Sequence, residues 1–185
     1  MDFDLSDYFQ GLLQEGKLRE AIVQGEHQLN SLQKTYFHPL LGTSLLHQRE
    51  EVAAWLNAFY QHVSQKMPVG ALYVEMNAFD LNTEEWYLDG FAYEVAGTRD
   101  DAEWLTNWSA DTATNEPFVL SGFEPLQEAF ETYFDEEEGS ENLEQAHDVA
   151  EMLVILRVQE LLDEVHQAAK VCTTPQKLDS LGGVC

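Results

Sequence analysis

Basic residues are scarce in this chain of 185 residues: nine Lys and Arg stand against 34 Asp and Glu, a formal net charge of −25. A field of that sign repels phosphate backbones and anionic membrane surfaces and attracts cationic ones, so direct nucleic-acid binding is not expected. Cysteine is almost missing. Cys172 and Cys185 both sit near the C-terminal end, too few and too local for a disulfide framework, and without the spacings of a zinc site. No run approaches the roughly 20 apolar residues of a membrane span. The opening MDFDLSDYF is acidic where a secretory leader is basic and then apolar. A cytoplasmic protein without membrane contact is therefore expected. GxGxxG, Walker-type, GxSxG and HExxH patterns are also missing, so no catalytic residue, metal ligand or cofactor is assigned.

What is present is material for a core. Hydrophobic residues make up 44% and aromatic residues 11% of a chain long enough for one domain. Apolar positions stepping by three and four predict helices over Asp2–Gln14, Lys17 to about Tyr36, and Thr43 or Ser44 to Lys66. The first two resemble a tetratricopeptide helical hairpin, but nothing like it recurs, which excludes a solenoid. Ala71–Val95 then changes period. Leu72, Val74 and Met76 alternate with Ala71, Tyr73 and Glu75; Trp86, Leu88 and Ala92 alternate with Tyr87, Phe91, Tyr93 and Val95. This is a β-hairpin with large apolar groups on both faces, one directed at helices and the other partly covered. Glu103–Ser109 and the stretch PFVLSG read as two further strands, with a loop over Asp111–Glu116 between them.

Helices close the chain, from Phe123 to Phe134 and from Glu141 to Lys170. The second is apolar nearly all round at MLVIL and suits burial against the sheet. Between them lies the charged break DEEEGS. Residues 171–185 have no clear period and read as a mobile tail. Helices, then strands, then helices argue for an α+β domain over 1–170, an antiparallel sheet of about four strands packed with N-terminal and C-terminal helices.

Candidate chemistry is sparse. Asp80–Glu84 starts like a calcium loop, but Glu85 stands where glycine is required and Phe91 where the bidentate glutamate is required. Glu144-x-x-His147 and Asp163-x-x-His166 resemble di-iron ligand pairs, yet both fall on one predicted helix, with histidines roughly 28 Å apart at its 1.5 Å rise. Glu75, Glu85, Asp89 and Glu94 could supply paired carboxylates for acid–base work, which leaves a small metal- or carboxylate-dependent hydrolase as one alternative. A nucleic-acid mimic whose carboxylates imitate phosphates is another.

The densest feature is aromatic and acidic together. Trp86, Tyr87 and Phe91 lie among Asp80, Glu84, Glu85 and Asp89. Rings supply desolvated contact area and acids steer an encounter, which suits a docking site for a basic protein. The pattern N-x-F-D-x-N followed by W-x-x-D-G-F-A-Y, at Asn77, Phe79, Asp80, Asn82, Trp86, Asp89, Gly90, Phe91, Ala92 and Tyr93, resembles the small acidic immunity proteins of bacterial polymorphic or secreted toxin systems. The resemblance covers about a quarter of the chain. It implies a non-catalytic protein that binds and blocks a cognate toxin by occluding its active site or substrate surface. From the residues themselves, not from the resemblance, Glu85 and Asp89 would steer a basic partner, and Trp86, Tyr87 and Phe91 would anchor it.

Overall fold

The computed structural model describes residues 5–79, 82–98, 101–136 and 139–173. Two helices open the chain, α1 (Leu5–Gln14) and α2 (Leu18–Ser31). Gly16 adopts φ 72° between them, while the Lys17 and Gly16 N–H groups return to the carbonyls of Leu12 and Leu13. This is a Schellman ending, and its left-handed residue favours glycine. The expected second helix ran on to Tyr36, but α2 stops five residues earlier because its end is held by tertiary contact. Leu32 is extended, and Asn142 grips Gln33 from a distant helix, accepting its N–H at 2.9 Å and donating to its carbonyl at 3.1 Å.

The third helix also starts later than its sequence suggested. The Ser44 hydroxyl accepts the Leu46 N–H just before a short 3-10 turn at Leu46–Gln48, after which α3 runs from Arg49 to Val63. The hairpin is β1 (Ala71–Met76) and β2 (Tyr87–Tyr93), antiparallel, with Ala71 opposite Tyr93 and Met76 opposite Leu88. A two-residue strand, β3 (Phe118–Val119), pairs with the other edge of β2. Two helices complete the fold, α4 (Glu124–Asp135) and α5 (Glu141–Thr173).

The domain is therefore α+β with an antiparallel sheet, but among the described residues the sheet has three strands, in the order β1-β2-β3. Glu103–Ser109, expected as a strand, holds a 3-10 turn at Glu103–Thr106 instead. Trp104, Leu105 and Trp108 are spaced for a turn rather than for alternation. The turn is tied locally by the Thr106 hydroxyl donating to Glu103 O and by Asp101 accepting the Glu103 N–H. PFVLSG does pair with the hairpin, for two residues only. Upstream, an isolated bridge joins Ala113 to Phe91, and five residues of this segment then span what three residues of β2 span, so the edge bulges around Pro117.

One contiguous core extends from Phe9 to Val165. α5 packs chiefly on α2 and α3, not on the sheet, which departs from the expectation drawn from MLVIL. At the α2–α5 crossing Gly25 lets the helices close: a Cβ there would meet Leu153 Cδ2 at 2.7 Å. Arg157, 9% exposed, bridges the same helices, with Glu26 at 2.6 Å and Glu160 at 2.8 Å. Inside α5, Glu144-x-x-His147 and Asp163-x-x-His166 do lie on one continuous helix. His147 is taken up by packing, stacked on Tyr133 at 4.1 Å and edge-on to Phe37 and Phe130. The expected tail overlaps α5 at 171–173; the rest of it, with Cys185, lies outside the described residues.

Candidate functional site: the outer face of the hairpin

Strand alternation divides the hairpin into two faces, and register decides which side chains meet. Asn77 sets that register. Its backbone N–H donates to Tyr87 O at 3.1 Å, its Oδ1 accepts the Tyr87 N–H at 3.0 Å, and its Nδ2 donates to Glu85 O at 3.0 Å. With Asn77 opposite Tyr87, every residue toward the sheet's far end is placed: Glu75 faces Asp89, and Tyr73 faces Phe91.

On the inner face, Trp86 and Leu88 are 1% and 0% exposed. Trp86 meets Phe79, Phe123 and Phe130 edge-on, and its indole N–H donates to Phe79 O at 3.1 Å. Further along, Ala92 joins Phe59 and Val63 of α3 in a small satellite core. Trp86 is thus a core residue, and the expectation that it anchors a partner is corrected: an anchor must be reachable from solvent, and this ring has polar and apolar partners inside the fold.

The outer face carries Tyr73, Glu75, Tyr87, Asp89 and Phe91, all at least partly exposed, and Tyr93, which is buried. No Lys or Arg lies among the strand residues of this face. Glu75 and Asp89 sit directly opposite each other, an arrangement of like charges that costs stability in an antiparallel pair. Part of the face is roofed by 101–114. Trp104 lies against Tyr93 at 4.7 Å, Trp108 lies against Phe91 at 5.3 Å, and the Tyr93 hydroxyl donates to Leu105 O at 2.9 Å. Thr114 fixes the end of the roof, its Oγ1 accepting the Gly90 N–H at 3.1 Å and lying 3.4 Å from Asp89 Oδ1. Gly97 makes room for Trp104, since a Cβ there would overlap the indole ring.

Two concavities follow from this roof. One, of about 470 Å³, opens at the far end of the hairpin among Met67, Tyr93, Val95, Gly97, Trp104 and Asn107. The other, of about 80 Å³, is a pit ringed by Tyr73, Glu75, Phe91, Tyr93, Leu105 and Trp108. Burial raises the Tyr73 phenol above its ordinary range, with the adjacent Glu75 carboxylate adding to the effect. Tyr93 is raised by the same two causes in the same order. In each case the shift favours the neutral phenol, and that of Tyr93 donates to Leu105 O.

The predicted site residues thus separate. Tyr87, Asp89 and Phe91 share the outer face. Glu84 and Glu85 are exposed on the connection leading into β2, where they border it. Trp86 points the other way, and Asp80 lies outside the described residues. Tyr73, Glu75 and Trp108 belong to the site but were not among the predicted anchors. The first two were recoverable from the hairpin register. Trp108, 52% exposed, is brought in by a roof that no local periodicity announces. Among the described residues no group of three or more His, Cys, Asp or Glu is placed to hold a metal ion, and no helix is long and apolar enough to cross a membrane. No protein-family model, curated protein or solved structure matches this chain.

Proposed function

We propose that this chain is a binding protein that captures a basic protein partner on the outer face of its hairpin. The observation that carries the reading is the pairing of Glu75 with Asp89 among half-buried rings, on a face without a strand Lys or Arg. Folding gains nothing from opposing two carboxylates, whereas a cationic partner turns that cost into attraction. The net charge of −25 adds long-range steering, which salt screens. Exposed Glu84 and Glu85 extend the acidic rim.

The partner that the sequence resemblance suggests is a cognate bacterial toxin, neutralised in the cytoplasm by covering its active site or substrate surface. The test is to capture partners on the immobilised full chain from its native host with a salt-graded wash, then assay the retained protein's activity with and without this chain. A single basic protein retained in stoichiometric amount and silenced by the chain is the expected result. Retention of nothing specific, or of a protein whose activity the chain leaves unchanged, overturns the reading. Charge reversal of Glu85 and Asp89 together should slow association. An unchanged rate and affinity would remove those two residues from the site.

A further inference from the structure

We infer that the pit beneath Trp108 is a receptor for one arginine side chain of the protein partner. The inference rests on the proposed binding function and specifies its chemistry. Among the described residues that line the pit, Glu75 is the only charged one, and the rest of the wall is largely aromatic. Phe91 and Trp108 meet at 66° with centroids 5.3 Å apart, and the Tyr73 ring lies 6.3 Å from that of Phe91. Aromatic rings and a carboxylate around one small hollow make the surroundings that favour a cation over a neutral group. At about 80 Å³ the pit admits a group larger than a single water.

The polar groups of the wall narrow the choice of cation. Tyr93 has already spent its hydroxyl on Leu105 O, at 2.9 Å, so neither competes for the guest. Glu75 is exposed, and Asp89 lies directly across the strand pair. A planar guanidinium can stack on a ring while its fork of N–H groups reaches a carboxylate, and it sheds water more readily than an ammonium does. A lysine ammonium meets the same charge but loses more hydration among the rings. Charge complementarity therefore selects a basic partner, and the rings select arginine within it.

The test follows the tryptophan indole N–H signals of the isotopically labelled full chain while N-acetyl-arginine methylamide is added. The uncharged citrulline analogue and the lysine analogue are run beside it. The Trp108 indole is expected to shift saturably with the arginine probe, less with lysine, and not with citrulline, while the buried Trp86 indole stays in place. Glu75→Gln should weaken the arginine probe by about tenfold. Trp108→Ala should weaken it as well, read from the backbone amides of Tyr73 and Phe91. Equal shifts with citrulline, an unchanged affinity in Glu75→Gln, or unsaturable shifts spread over the acidic surface would each overturn the inference. Failure here leaves the wider reading separable. A partner retained equally by the parent chain and Glu75→Gln keeps the binding function and discards the pit. Arginine bound in the pit with no partner retained does the reverse.

Discussion

The two faces of one hairpin use the same kinds of residue for different ends. Trp86 and Phe91 are aromatic, close in sequence and on the same side of one turn, yet Trp86 is sealed while Phe91 is half-buried. The difference lies in what faces them. Trp86 meets rings from α4 and from the loop before it, at Phe130 and Phe123, and has a carbonyl for its N–H. Phe91 meets a thinner cover, with Trp108 half in solvent. An inner ring contributes to folding, and an outer ring is available for contact. An aromatic residue in a strand thus indicates little until its side of the sheet is known.

That contrast can be broken first at its strongest point. Trp86→Ala removes a buried ring and leaves the Phe79 carbonyl without its donor, so unfolding in urea should show a loss of about 3–5 kcal/mol. A loss near that of an ordinary surface substitution would mean that the inner face is less packed than described.

Alkaline pH tests burial on both sides of the molecule. Burial, with the Glu136 carboxylate alongside, pushes the Tyr36 phenol up to about 12. Burial and Glu75 raise Tyr73. A phenol whose folded value exceeds its unfolded value of about 10 keeps its proton longer when folded, so the stability it contributes is whole below about pH 10 and lost above it. The urea midpoint should hold up to that pH and then fall toward about pH 12, with Tyr36→Phe flattening the fall more than Tyr73→Phe.

Asn77→Ala sharpens the comparison at the hinge between the faces. It removes two side-chain hydrogen bonds that hold the hairpin mouth, and should cost about 1–2 kcal/mol. Loss of register would disturb Glu75 and Tyr73 on one face together with Met76 on the other, visible as amide shifts across both strands. Glu75→Lys should act in the opposite sense. Replacing a like-charge pair by an opposite-charge pair should raise stability by about 0.2–1 kcal/mol while weakening the basic partner. A change of both quantities in the same direction would contradict the functional assignment of this carboxylate pair. Trp108→Ala should have the smallest effect on stability, about 0.5 kcal/mol or less, because half the ring is already solvated.

Period and composition alone were enough for the helices, for the hairpin and for the division of β2 into two sets of side chains. Those features are local: a side chain's face follows from the strand repeat of two and the helix repeat of 3.6. The acidic field was legible too, since it is a sum over the chain. Which β2 face is sealed was not, because Trp86 and Phe91 have comparable apolar area and only the placement of α3 and α4 chooses between them. The same holds for the Trp104–Trp108 stretch, whose bulky rings suit a strand but which is drawn into a turn over Tyr93 and Phe91. Tertiary packing also ended α2 early at Asn142 and turned α5 toward α2 and α3. Local repeats decide which residues travel together, and long-range burial decides what they meet. The candidate site is the product of that second decision.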